Sequence, residues 1–303
     1  MGRPYEGGSD NETPVHEVTL DAYQIGKYPV TNQDYADVLN WALAYDYLKD
    51  GDGSAYTGGS VYAYGKPIAH TQSSDGKSQI IYSNDAFEVR SREGHGEQLF
   101  SMADHPVVMV SWYGAVAYCN WLSEMHGLQP CYDTETWERY EPVRNGYRLP
   151  TEAEWERAAA WDGSKHWRYG VTSDDLDETR ANFYDKFYSN PLGLIDWPET
   201  SPVGWYNGVN VNPNGDIQTV DSPSPVGAYD MAGSVWEWCH DWSRRDYTEE
   251  PVTNPTGPTS GTARICRGGS WYDTFGESRA ARRSSNMPTN RSNRVGFRIS
   301  RTP

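Results

Sequence analysis

Residues 264–298 read RICRGGSWYDTFGESRAARRSSNMPTNRSNRVGFR, the most informative stretch of the chain. Its first residues belong to the run ARICRGGSW, and its last to GFRIS (296–300), both expected as short strands. Gly268 and Gly269 are expected to turn the chain, with the Ser270 hydroxyl hydrogen-bonded to that turn. Arg267, Arg279, Arg282, Arg283, Arg291, Arg294 and Arg298 make this tail basic in a chain of formal net charge −16. Most of them are expected to pair with carboxylates inside the fold. Arg282 and Arg294 are expected to face solvent or a ligand.

Before this tail, SVWEWCHDW (234–242) is a third β-type run, and GYRLPTEAEWERAAA (146–160) is a turn followed by a helix. Thr151 and Glu154 fit a capping box at the start of that helix. GKYPVTNQDYA (26–36) opens another helix, with Thr31 or Asn32 as N-cap and Tyr35, Val38, Leu39 and Ala42 at helical spacing. Residues 105–127 predict a short strand and then a helix stopped at Gly127. Residues 15–31 alternate apolar and polar side chains and predict a strand pair broken at Gly26. Residues 49–104, rich in Gly, Ser, Asp and Tyr, are expected to be a loop-rich insertion with short hairpins. About sixty residues of turns follow the third helix and contain SPVG at 201–204 and 224–227.

The composition suits such a fold. The 303 residues include 29 glycines and 19 prolines, and 14% are aromatic against 37% hydrophobic overall. No apolar run approaches the roughly 20 residues of a membrane span. An acidic chain with pI near 4.8 repels phosphates, which excludes a nucleic-acid partner as the main expectation. Cys119, Cys131, Cys239 and Cys266 form no CxxC or zinc spacing and are expected as buried free thiols, though a disulfide stays open.

These blocks, in this order and over nearly the whole chain, resemble the formylglycine-generating enzyme family, also called the sulfatase-modifying factor domain. The resemblance implies an α+β fold of the C-type-lectin-like kind, with small twisted antiparallel sheets, two main helices and many loops, as one domain over 1–303. The family carries a strand before its Met-Gly, so Met1-Gly2 is compatible with a start inside a longer protein, and no compartment is read from it. The family binds structural Ca²⁺ at the segment that here reads YDMAGSVWEW. Carried over, the ligands are the side chains of Asp230 and Glu237 and the carbonyls of Gly233 and Val235, all hard oxygen donors. The other reading is that Asp230 caps a turn and Glu237 pairs with an arginine. A second family site would use Asn182 and Asp196, with the carbonyls of Phe183 and of a residue near Trp197.

Members that oxidise a substrate cysteine carry two cysteines shortly after Gly-Gly-Ser. The matching positions here, three and eight residues after Ser270, are Asp273 and Ser278. Copper(I) prefers thiolates, so no copper is expected and cysteine oxidation is not the expected activity. The histidines show no facial-triad spacing; His240, beside Asp241, is the one that stands out. Ser270 lies in GGSW and not in a GxSxG nucleophile elbow, which argues against a hydrolase.

Between the fixed points of the tail, most residues belong to the set reachable from asparagine codons by adenine changes; Glu277 and Met287 do not. In this the tail (264–303) resembles the variable proteins of diversity-generating retroelements. That resemblance implies binding of a protein or small-molecule ligand through Tyr272, Asp273, Phe275, Arg282, Ser284, Asn286, Asn290, Asn293 and Arg294. Trp236 and Trp271 are further aromatic candidates, although such tryptophans also serve as core. The competing expectation is an enzyme of altered, oxidoreductase-like chemistry around Ser270, Trp271 and Asp273. An enclosed cleft at Asp273 with a second titratable group favours the enzyme, and a shallow exposed surface favours binding. A third reading, a cofactor-free structural subunit, uses the same residues.

Overall fold

The computed structural model describes residues 1–184, 190–244 and 247–303. Three hydroxyls start its three α-helices among these residues: Thr31 caps α1 (Asn32–Ala44), Ser111 caps α2 (Trp112–Met125) and Thr151 caps α3 (Glu152–Ala160). Each accepts the backbone N–H three residues on, of Asp34, Gly114 and Glu154 respectively. Asp34 and Glu154 return the bond to the cap residue's own N–H, completing two capping boxes. Beyond α2, Gly127 takes φ +67, the left-handed conformation that closes a helix and that glycine adopts without strain.

α2 is apolar on almost every side, and all of its residues from Trp112 through Trp121 except Tyr113 are buried. It packs with α1 around an aromatic stack: Tyr35 and Tyr118 lie 5.5 Å apart and nearly parallel, and Phe297 meets Tyr118 edge-on at 5.3 Å. The tail motif GFR therefore drives its phenylalanine between the two helices.

A four-stranded sheet carries the tail. Its order is Arg283–Asn286, Arg264–Arg267, Trp236–Trp242, Val295–Gly296; the first two pairings are antiparallel and the last is parallel. Gly296 is required where it stands, because a Cβ there would lie 2.4 Å from the Val107 carbonyl oxygen. A second sheet orders Gln24–Ile25, Ser300–Arg301 and Tyr147–Arg148, all antiparallel, so the chain's last strand lies between two early ones.

Two expectations fail. Residues 15–31 do not form a strand pair with each other. Val18–Thr19 pairs in parallel with Val252–Thr253, while Gln24–Ile25 joins Ser300–Arg301. Alternation identifies which side chains turn inward, not which strand lies alongside. The strand expected after His105 reduces to single bridges, Thr31 with Pro106 and Ala69 with Val110. Met109 at φ +62 breaks the extended run.

The segment 49–104 holds three hairpins, Ser60–Ala63 with Lys66–His70, Ile80–Ser83 with Ala86–Val89, and Ser91–Glu93 with Leu99–Ser101. The second turns through Asn84 and Asp85 at φ 51 and 58, the left-handed pair that a tight hairpin demands. Val61, Ile68, Ile80 and Phe87 pack into the same core as α1 and α2, so this segment helps to build the interior. Among the described residues no helix is long and apolar enough to cross a membrane.

Candidate functional site

The tail is fixed from beneath by buried guanidinium–carboxylate pairs. Arg267, on its strand, is inaccessible and reaches Glu152 at 2.9 Å and Glu156 at 2.5 Å, both on α3. Arg283 also binds Glu152, with both oxygens, at 2.7 and 2.9 Å. Arg279 binds Glu12 at 2.8 Å, and Arg298 grips Glu237 at 2.6 and 2.7 Å. Burial works to raise the Glu156 pKa, but Arg267 and His166 overcome it and hold the carboxyl well below its usual range. Arg264 instead lies over Trp112 and Trp242, 3.8 and 3.5 Å from their ring centres.

Above this layer the Gly268-Gly269-Ser270 turn adopts φ +103 and +79 at its glycines. Asp273 and Ser278 flank it. The Asp273 carboxylate accepts hydrogen bonds from Trp236 Nε1 at 2.8 Å and from the Ser270 hydroxyl. Ser270 is thus bonded to a side chain as well as sitting in the turn. Ser278 is fully buried, its Oγ has no hydrogen-bond partner among the described residues, and a Cβ on Gly269 would lie 2.7 Å from it. All four cysteines are free and buried, and burial pushes every thiol pKa up. Cys239 and Cys266 sit on adjacent sheet strands, in the interior. His240 is half-buried, and desolvation of its ring drives its pKa well below the usual imidazole range.

On the outer side, the turn presents aromatic rings. Tyr272 is 37% exposed, and Tyr184 and Trp197 are both 46% exposed. Trp197 meets Tyr272 nearly perpendicularly at 5.5 Å, Tyr184 lies 6.3 Å from Tyr272, and the Arg294 guanidinium covers the Tyr272 ring at 3.7 Å. Trp271 and Trp236 are buried beneath; the Trp271 Nε1 donates to the Asn293 carbonyl at 3.0 Å. Asp273 is half-buried beside this face, and Phe275, 53% exposed, begins the 3-10 turn that follows.

The nine expected contact residues therefore separate. Tyr272, Asp273 and Arg294 come together. Ser284 and Asn286 lie on the sheet edge strand with Asn290 beside them, its Nδ2 donating to Asn286 Oδ1 at 3.1 Å. Arg282 corrects the expectation that it faces solvent or a ligand: it is tied to Glu277 at 2.7 Å and to the Ser9 hydroxyl. Asn293 is buried. Tyr184 and Trp197 were not found from sequence, because they lie some eighty residues before the tail. Their only signal was being large aromatic residues in a turn-rich polar segment.

The calcium residues divide in the same way. Both Glu237 oxygens are occupied, one by Arg298 and the other by Arg298 and by Trp155 Nε1 at 2.7 Å, and the side chain is inaccessible. The donor set of Asp230 and Glu237 with the Gly233 and Val235 carbonyls therefore does not fit Ca²⁺ as arranged. Glu237 follows the arginine-pairing alternative. Asp230 sits at φ +59, accepts the Gly204 N–H at 2.7 Å, and is pushed up to about 6 by burial. Among the described residues Asn182 Oδ1 is buried without a partner, a feature that suits a hard cation, and the Asn182 backbone carbonyl accepts the Ser234 N–H. Asp196, however, is exposed on the surface with Arg90 and Arg92 in its field. No group of three or more His, Cys, Asp or Glu side chains converges among the described residues.

Helices, small sheets and the arginine-anchored tail define the α+β, C-type-lectin-like class that the formylglycine-generating enzymes share. The chain belongs to the family described as the sulfatase-modifying factor enzyme 1-like domain, which matches residues 1–303. It is 30% identical over 306 residues to the formylglycine-generating enzyme of Thermomonospora curvata, covering 97% of this chain and 86% of that protein. It is 31% identical over 306 residues to the same enzyme of Streptomyces coelicolor, covering 98% and 84%. Among solved structures it is similar to Treponema denticola variable protein 1, with TM-score 0.58, 25% identity, and coverage of 100% of this chain and 91% of that one.

Proposed function

We propose that this chain is a binding module on the formylglycine-generating-enzyme scaffold, without cysteine-oxidase chemistry, and that it takes a ligand or partner on the face around Tyr272. The observation that carries this reading is the pair flanking the Gly268-Gly269-Ser270 turn. Asp273 and Ser278 offer oxygen where the oxidising members carry thiols, and Asp273 is already hydrogen-bonded to Trp236 and Ser270. No cysteine stands at either position, and all four cysteines of the chain are buried. Asp273 borders an aromatic surface that is open to solvent, which favours binding over an altered enzyme. Likeness to a variable protein supports a diversified tail as the origin of the surface. A near-identical tail copy with adenine changes beside a reverse transcriptase in the neighbouring DNA would support that origin, and absence of both would remove it.

The direct test of the proposed function incubates the copper-treated protein with a cysteine-containing peptide in air and follows aldehyde formation by mass spectrometry. No aldehyde is expected. Catalytic aldehyde formation would make the chain an oxidase.

A further inference from the structure

We propose that the Tyr272 face binds an acidic segment of a partner polypeptide, with one carboxylate on Arg294 and a neighbouring apolar side chain against Trp197. This rests on the binding reading above and adds the chemistry of the ligand.

The tail arginines are used in different ways. Arg267, Arg279, Arg283 and Arg298 are each buried against carboxylates, and Arg282 holds Glu277. Arg264 donates to the His240 carbonyl and Arg291 to the Ala69 carbonyl. Arg294 differs: among the described residues its guanidinium has no carboxylate or carbonyl acceptor, and it stacks on the Tyr272 ring at 3.7 Å. Stacking uses the face of a guanidinium and leaves its in-plane N–H fork open, which matches the two oxygens of a carboxylate. The ring beneath holds the fork in place, so little side-chain freedom is lost when an acceptor arrives.

The rest of the face is apolar. Trp197 stands at 79° to Tyr272, forming a corner beside the arginine, and Tyr184 extends the surface. Exposed Trp, Tyr and Arg together are the residue types that anchor protein interfaces. The corner is open, with Trp197 and Tyr184 each nearly half exposed, so it suits a segment held in place by its own polypeptide more than a small molecule needing enclosure. The net charge of −16 repels polyanions at long range, so the site selects a single local carboxylate and not a nucleic-acid backbone.

The test uses an array of capped peptides in matched pairs, each placing Glu or Asp next to Trp, Phe or Leu, with Gln or Asn in the twin. Binding to the whole protein is read by fluorescence polarisation. The acidic member should bind about tenfold or more tightly than its amide twin, as for a charge-assisted bond. That advantage should shrink as salt rises, disappear in Arg294→Gln and survive in part in Arg294→Lys. Trp197 and Tyr272 are exposed and Arg294 half-exposed, and an unchanged melting temperature confirms that each variant of these three residues is folded. Equal binding of acid and amide, or an advantage that Arg294→Gln leaves intact, overturns the proposal. If peptides bind without a charge preference but Trp197→Ala or Tyr272→Ala removes binding, the face is a binding surface and only its ligand chemistry is wrong. If binding is indifferent to Trp197→Ala, Tyr272→Ala and Arg294→Gln, the binding face itself is misplaced. Absence of binding by every peptide overturns the polypeptide ligand, while the oxidase assay still judges the function on its own.

Discussion

Asp241 lies buried behind the first turn of α3 and accepts the Glu152 N–H at 2.8 Å. Burial, helped by the charge of Glu152, pushes its carboxyl up to about 7. The folded state therefore holds a proton that the unfolded chain releases near pH ~4. For this group stability is fully present below about pH 4 and is lost as pH rises towards about 7; Asp230, pushed up to about 6, acts in the same direction. Asp241→Asn keeps an acceptor and removes the charge. It should flatten much of this slope and be more stable than the native protein at pH ~8 by on the order of 3 kcal/mol, measured by urea unfolding across pH. An unchanged slope would place the titration elsewhere. Glu237 gives a second test. Glu237→Gln leaves the buried Arg298 guanidinium without its counter-charge and should cost about 3–5 kcal/mol in the same measurement. A stability loss on calcium chelation that Glu237→Gln abolishes would mean that the carboxylate serves a metal instead. Sequence left two partners open for Glu237, because a carboxylate suits calcium and arginine equally until the fold shows which one arrives. Arg282 was misread for the converse reason: its partners Glu277 and Ser9 are a turn away and at the other end of the chain.

The helices were legible because their signals are local. Thr31 and Thr151 cap their own helices, and Gly127 closes α2 from two residues beyond its last turn. Strand partners were not legible, since Val18–Thr19 and Val252–Thr253 are more than two hundred residues apart. Where local and tertiary demands conflict, the packing decides. Gly114 sits within α2, where alanine has the better helix propensity by about 1 kcal/mol. A Cβ there, however, would lie 2.3 Å from the Ile68 carbonyl oxygen and 2.8 Å from Val110. Gly114→Ala should therefore destabilise by about 1–3 kcal/mol, forcing the Lys66–His70 strand off the helix. A gain in thermal stability would show that this approach is not as close as described.

At the scale of the molecule, the tail motif was legible as a frame because its turn glycines, arginines and Phe297 have few substitutes in those places. The surface that the frame presents was only half legible: Tyr272 and Arg294 lie in the tail, but Trp197 and Tyr184 arrive from a distant loop. We propose that oxygen at two positions beside one turn separates this scaffold from a copper-thiolate site. It is tested most directly by copper(I) affinity measured in competition with bicinchoninate. The native protein should take up no copper(I) from the competitor. The double variant Asp273→Cys, Ser278→Cys should take up about one equivalent, because soft thiolates then replace hard oxygen groups. Copper(I) held by the native protein as tightly as by the double variant would contradict the claim.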